Sequence, residues 1–316
     1  MKLEFALKTS LDELRMQMLG VQVLFGFQFQ GLFQDNFESA PRSVRAVDAA
    51  ALIFTIVVLG LILAVPAQHR IVEAGADTLR LFRVSLRYAK YALSPLGAAI
   101  ACDLYVATRA SFGSTTSIVF AAAAFLFAIS AWYVVGLLIR PKQHLHGTPA
   151  MLERKTSLHT KIEQMLTEAR VILPGAQALL GFQLIVMMNK TFEQLPLSVQ
   201  RVHLIALLNI VLAIILMIMP AAIHRLAFEG EDDPTLHALG SRIITIALLP
   251  LAFAISCDMG VALFKLIGDI AIASFGALLV GLTLVGLWYL LPLLLRRRLR
   301  SAAHLEKHDA DAENGR

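Results

Sequence analysis

Gly20-Val21-Gln22-Val23-Leu24-Phe25-Gly26-Phe27-Gln28 returns 155 residues later as Gly175-Ala176-Gln177-Ala178-Leu179-Leu180-Gly181-Phe182-Gln183. Working outward, the same offset holds without a gap from residues 11–107 to residues 166–262. Leu11-Asp12-Glu13-Leu14-Arg15 lies over Leu166-Thr167-Glu168-Ala169-Arg170, His69-Arg70 over His224-Arg225, and Cys102-Asp103 over Cys257-Asp258. About a third of the aligned positions are identical, far above chance even for apolar sequence, so the chain is one unit written twice. The duplication acts as an internal control. A polar residue kept in both copies is less readily accidental, and the copies should fold alike.

Composition identifies the solvent. Hydrophobic residues make up 57% of the chain and the mean hydropathy is +0.69, too apolar for a water-soluble domain of this length. Eight apolar runs are near the ~20 residues that cross a bilayer: 14–34, 46–66, 88–108, 116–139, 168–188, 202–222, 243–263 and 270–294. Lipid offers no partner to unpaired backbone groups, and the runs are continuous rather than alternating, so helices are expected and a barrel is not. Met1–Leu14 carries acidic residues and no small-residue cleavage site, unlike a cleavable signal peptide.

Four spans per copy is an even number, so the second copy enters the membrane as the first does. The expected fold is an all-α integral membrane protein. It has eight transmembrane helices in two parallel four-helix repeats, related by a pseudo-two-fold axis along the membrane normal. The expected layout is a first repeat at 1–139, a linker at 140–161, a second repeat at 162–295 and a basic tail at 296–316.

The net charge of +5 is a topology signal. Arg70, Arg80, Arg83, Arg87 and Lys90, the basic residues of the linker, Arg225, Arg242 and the run Arg296-Arg297-Arg298 fall on one side. Only scattered charges such as Arg42, Arg45, Arg109, Lys190 and Lys265 fall on the other. Both termini should therefore be cytoplasmic. The basic side suits anionic lipid, and the partner it implies is the bilayer, not nucleic acid.

The first helix of each repeat is unusual. At 100° per residue, Glu13, Gly20, Leu24 and Phe27 share one face, and Arg15, Gln22 and Gly26 the opposite one. Both faces carry duplicated positions, so this helix is expected near the bundle centre. Its glycines permit close approach. Gln22, Gln28, Gln177 and Gln183 are candidates both for interhelical hydrogen bonds and for lining an ion pathway.

Ser10-Leu11-Asp12-Glu13 has the capping-box pattern, but Met165 replaces Ser10 while Glu168 remains, so capping is not the shared role of Glu13 and Glu168. An ion-paired cytoplasmic cluster in each repeat is expected instead. Glu13, Arg15, His69, Arg70 and Arg87 form the first, and Glu168, Arg170, His224, Arg225 and Arg242 the second. Histidine is the side chain suited to carry a proton at physiological pH; anchor and gate or proton relay are both open roles.

The third helix carries the sharpest polar residue. Asp103 lies roughly 24 Å beyond Arg87 at ~1.5 Å per residue, in the outer leaflet. It recurs as Asp258, whereas its nearby basic residue, Arg109, is replaced by Phe264. Asp103 and Asp258 are thus candidates to attract a cation or proton, against the plainer role of outer-end residues. Pro95 and Pro250 interrupt this helix in both copies and should free the carbonyls of Tyr91 and Ile246, making a candidate hinge.

Cys102 and Cys257 are the only cysteines and are expected as small packing residues. No metal or cofactor is expected. The Cys-Asp pairs do not reach four ligands, and the linker histidines His144, His146 and His159 read as solvated. The acidic turn Glu229–Pro234 keeps only a Gly and an Asp of its duplicate, so it is a weak cation site.

Glu-x-Arg, Gly-x-Gln-x-Leu-x-Gly-Phe-Gln, Phe37-Glu38 with Pro41, and His69-Arg70 together resemble an uncharacterised bacterial four-helix membrane-protein family, a domain of unknown function. The resemblance covers both halves. It implies a bacterial inner-membrane protein whose single-copy relatives pair as dimers, and it supplies no substrate. A homodimer of the fused unit is a further open expectation. Without a nucleophile, metal or haem constellation, no enzyme is expected. The leading expectation is a channel or transporter for H⁺ or a monovalent cation. The alternative is a scaffold, stress or lipid-interaction protein whose polar residues only hold the bundle.

Overall fold

A computed structural model describes residues 3–34, 37, 40–134, 156–226, 228, 231–299 and 301. They form helices, with no strand among the described residues. The expected linker therefore lies outside them up to residue 155, and the expected tail from residue 302 on.

The long helices are α1 Leu3–Gly31, α2 Arg42–Ile71, α3 Leu79–Arg109 and α4 Phe112–Tyr133. The second copy gives α5 Leu158–Met187, α6 Leu197–Leu226, α7 Pro234–Ile267 and α8 Ile270–Leu299. Helices α2 to α8 are long and apolar enough to cross a bilayer, so this is a multi-pass membrane protein. Helix α1 is not among those seven, because Gln17, Gln22, Gln28 and Gln30 interrupt its apolar sequence.

The duplication reaches further than the sequence alignment. The chain reverses between α3 and α4 at Gly113, with φ 76 and ψ 178, and between α7 and α8 at Gly268, with φ 77 and ψ 5. These glycines are 155 positions apart. Only a residue without Cβ adopts these angles cheaply.

Helices α1 and α5 pack against each other. Leu7, Leu11, Leu14, Met18, Val21 and Phe25 are buried along α1 at alternating spacings of four and three, the period of a coiled-coil seam. Ile162, Met165, Ala169, Ile172, Ala176 and Leu179 are buried at the same alternation on α5, where Met165 and Ala169 pack with Ile244 of α7. In lipid the two helices gain from close packing rather than from excluding water. A Cβ on Gly26 would overlap the Phe182 ring, and one on Gly175 would overlap the Gln22 side chain. Phe27 and Phe182, equivalent positions of the two copies, touch each other with ring centroids 4.6 Å apart.

The seam also decides where the polar residues go. Helix α1 starts at Leu3, so Ser10 is interior; its hydroxyl meets that of Ser85 at 2.8 Å. Helix α5 is capped by Ser157, which accepts from the Thr160 N–H at 3.1 Å. The capping-box pattern therefore caps neither copy.

Equivalent helices are unequally enclosed. In α2 and α7, 67% of the most apolar window is buried; their counterparts α6 and α3 reach 39% and 28%. For α2 the cause lies at Gly60. Helix α8 of the second copy docks there, with Trp288 Nε1 donating to the Gly60 carbonyl at 3.2 Å. A Cβ on Gly60 would stand 3.2 Å from Leu287. The counterpart of Gly60 is Ile215, whose branched side chain fills that approach. Trp132, the counterpart tryptophan, packs beside Gly97 of its own repeat instead.

Candidate functional site

The first and third helices of each repeat build the same polar contact. Gln28 on α1 donates from Nε2 to both carboxylate oxygens of Asp103 on α3, at 3.1 and 2.9 Å. Gln183 on α5 donates from Nε2 to Oδ2 of Asp258 on α7 at 2.7 Å. Each pair is separated by 75 positions in sequence. Two glutamines and two acids of the expected ion pathway are thus brought together.

The second helix completes each site with a residue that identity matching passes over. Asp48 on α2 is buried and lies within electrostatic reach of Asp103 and Cys102. Its counterpart, 155 positions on, is His203 on α6. The offset alone pairs one titratable residue with another in otherwise apolar helices, and that signal was available in the sequence.

The two sites differ in their third residue. In the first, Asp48 Oδ2 and Gln28 Oε1 are buried without a hydrogen-bond partner among the described residues. In the second, His203 Nε2 lies 3.1 Å from the Gln183 carbonyl, while Nδ1 faces Asp258 Oδ1 at 3.5 Å, and those two atoms and Gln183 Oε1 make no hydrogen bond among the described residues. A carbonyl only accepts, so Nε2 carries hydrogen. His203 and Asp258 are both fully enclosed, at 0% exposure. Phe29 of the first repeat stacks on the imidazole at 5.7 Å, and Phe192 meets it edge-on at 5.1 Å. The counterpart of Phe29 is Leu184, which is exposed, and Asp103 is only half-buried.

The remaining expected residues are distributed differently. Gln22 is buried against Gly175 with neither amide atom paired among the described residues, while Gln177 is exposed. These two do not join the acid sites.

The polar cluster expected on the cytoplasmic side forms across the halves rather than within each. Glu168 on α5 accepts from Arg70 Nη1 at 2.5 Å and meets His69 Nδ1 at 2.7 Å, all three residues buried. Arg15 lies within electrostatic reach of Glu168 and pairs with Asp12 at 2.5 Å. Glu13, Arg87, Arg170 and Arg242 are exposed and outside this group. The α1 seam explains the departure. With Leu11, Leu14 and Met18 facing inward, Glu13 points out and cannot reach His69 of its own repeat. His224 is half-buried with Nε2 unpaired among the described residues; the Arg225 side chain lies outside them. Gln164 extends the cross-repeat junction by donating to Asp77 at 3.0 Å.

The helices run unbroken through Pro95 and Pro250. In both copies the fourth helix widens to a π-helical turn, at Ser130–Val134 and Gly286–Leu290. There Tyr133 donates to the Lys90 carbonyl at 2.5 Å, and Tyr289 donates to the Thr245 carbonyl. Each tyrosine ties its helix down one residue before the carbonyl that proline frees. The expected hinge positions are therefore braced from the neighbouring helix.

Two apolar grooves occupy matching places between the second, third and fourth helices. One, of 490 Å³, is lined by Val47, Ala101 and Cys102; the other, of 860 Å³, by Val202, Ser256 and Cys257. The cysteines are free, each on its own groove. A third cavity of 20 Å³ touches Arg15 and Glu168. None of the three is lined by Asp103, Asp258, His69 or His224. Among the described residues, no three His, Cys, Asp or Glu side chains gather as metal donors. His159, of the expected linker, pairs with Asp232 at 2.7 Å in an exposed setting.

No curated protein and no solved structure matches the chain. A family of unknown function (DUF6328) matches twice, over residues 2–136 and again over 153–292. With its duplicated Gln–Asp contact and its two tandem copies, the chain belongs to that family.

Proposed function

We propose that the protein moves H⁺ or a monovalent cation across the bacterial inner membrane. The observation that carries this reading is the Gln–Asp contact, built twice inside an apolar bundle from equivalent residues of the two copies. A buried carboxylate is expensive in a membrane and is retained where it serves an ion or proton. In this reading α1 is the eighth span, shielded from lipid by its neighbours. The repeats are parallel, with a pseudo-two-fold axis close to the Phe27–Phe182 contact. The excess of arginine and lysine on one side puts both termini in the cytoplasm.

The test is ion flux in proteoliposomes under imposed pH and potential gradients, comparing the wild type with Asp103→Asn/Asp258→Asn. Flux that is lost in a folded double mutant supports conduction through the acid sites. A second reading, a membrane scaffold with structural polar residues, draws on the three cavities described above, none of which is lined by Asp103, Asp258, His69 or His224. Absence of flux for H⁺, Na⁺, K⁺ and Cl⁻ under both gradients selects that second reading.

A further inference from the structure

The two polar sites share two of three residues, and the third sets their chemistry. We infer that Asp48, Asp103 and Gln28 form a loadable site for one small positive charge, and that His203 permanently closes the equivalent site in the second half. The inference rests on reading the acids as ion sites and narrows it to one half of the molecule.

The first site sets one donor, the Gln28 amide, beside two carboxylates. Gln28 spends its amide N–H groups on Asp103, leaving its own Oε1 unpaired, as Gln183 Oε1 is in the second site. Asp48, 7% exposed, also presents an oxygen with no partner among the described residues. Orphan acceptors buried beside a second carboxylate are costly. What completes such a set is a proton, which turns one carboxyl into a donor, or a dehydrated monovalent cation held by the oxygens.

The second site contains its own answer. The Gln183 carbonyl fixes hydrogen on His203 Nε2, so Nδ1 faces Asp258 Oδ1 at 3.5 Å. One proton between those two atoms satisfies both. His203 thus stands where Asp48 stands in the first copy and offers Asp258 a ring nitrogen where the first site offers Asp103 a second carboxylate. Phe29 and Phe192 then cover it. The groups facing the first site are Asp48, Asp103, Gln28 and the Cys102 thiol; those facing the second are His203, Asp258, Gln183 and the Cys257 thiol.

Dicyclohexylcarbodiimide tests this without any transport assay. It reacts with a carboxyl by taking up that carboxyl's proton, and it enters from lipid. The full-length protein in liposomes is treated at mildly acidic pH, digested and mapped by mass spectrometry. The expected adduct is on Asp48 or Asp103, with none on Asp258. Approach alone does not produce that difference, since the larger groove borders Cys257. Suppression of labelling by Na⁺, K⁺ or Li⁺ at constant pH identifies a cation; suppression only by raising pH identifies a proton.

Reciprocal exchange completes the test. Asp48→His should abolish the first-half adduct, and His203→Asp should create one on Asp258. Equal labelling of Asp258 in the wild type, no label on Asp48 or Asp103, or persistence of the Asp103 adduct in a folded Asp48→His protein overturns the inference. If Asp48→His fails to fold, the wild-type map and His203→Asp decide. Labelling as expected without flux leaves the site standing and removes the transport reading; flux without such labelling does the reverse.

Discussion

Gln183 Nε2 donates to Asp258 Oδ2 at 2.7 Å, and the residues 155 positions earlier make the same bond. Gln183→Leu would leave that oxygen buried and unpaired, which costs about 1–3 kcal/mol. Gln28→Leu should cost less, because Asp103 is half-buried where Asp258 is enclosed. Thermal unfolding in detergent should rank wild type above Gln28→Leu above Gln183→Leu; the reverse order would contradict the sealed second site.

Glu168 holds the two copies together at one membrane face. Glu168→Gln leaves Arg70 buried without its counter-charge, a loss of about 3–5 kcal/mol for a broken buried pair. Glu13→Gln, at the equivalent but exposed position, should stay within about 0.5 kcal/mol of wild type. The two variants measured side by side separate a cross-repeat clasp from a cluster present once per copy. Equal effects would count against the clasp.

Trp288 and Trp132 occupy corresponding turns but do different jobs. Trp288→Phe removes the N–H that reaches the Gly60 carbonyl and should lower stability by about 1 kcal/mol. Gly60→Leu should act more strongly, since Leu287 already crowds that position. Detergent unfolding midpoints for Trp132→Phe, expected near wild type, provide the comparison.

The interhelical glycines should not be equally replaceable. Gly113 combines φ 76 with ψ 178, a region essentially closed to other residues, whereas Gly268 sits at φ 77 and ψ 5 in the ordinary left-handed region. Gly113→Ala should cost about 1–3 kcal/mol and Gly268→Ala about 1–2 kcal/mol. Chemical denaturation of the two alanine variants checks the order.

Asp233 caps α7 from outside the membrane span, accepting from the Thr235 N–H at 2.6 Å. Hydrogen bonds from Thr235, side chain first and then backbone, hold its carboxyl below the ordinary aspartate value of 3.8. The folded value is depressed, so the cap is fully present above the ordinary value and is lost as pH falls through the depressed one. Amide exchange at Thr235 and Leu236, corrected for intrinsic rates, should therefore lose protection only in that acidic window. Asp233→Ala should show the unprotected rate at every pH.

Much of this was legible in the duplicated stretch itself. The 155-residue offset, the apolar runs and the recurrence of Gln28 and Asp103 as Gln183 and Asp258 follow from period and spacing; that each glutamine donates to its acid does not. The cluster partners did not. Periodicity shows which face of α1 is duplicated, but not that Leu11 and Leu14 turn Glu13 outward while Glu168 turns in. Asp48 and His203 are not identical, so identity across the copies does not mark them, although unlike titratable residues at one offset are as informative. The bracing of Pro95 and Pro250 by Tyr133 and Tyr289 escaped for another reason. The tyrosine hydroxyls cross between helices, a relation that no single-helix pattern encodes.

The Phe27–Phe182 contact has a consequence for heredity. A unit that met its own copy at that phenylalanine would alter both sides of the junction with every codon it changed. Fusing two copies into one reading frame lets each side mutate alone. Gly60 against Ile215, and Asp48 against His203, are positions where the two sides now differ. A polar difference of that kind is beyond any assembly of identical subunits, whatever their number.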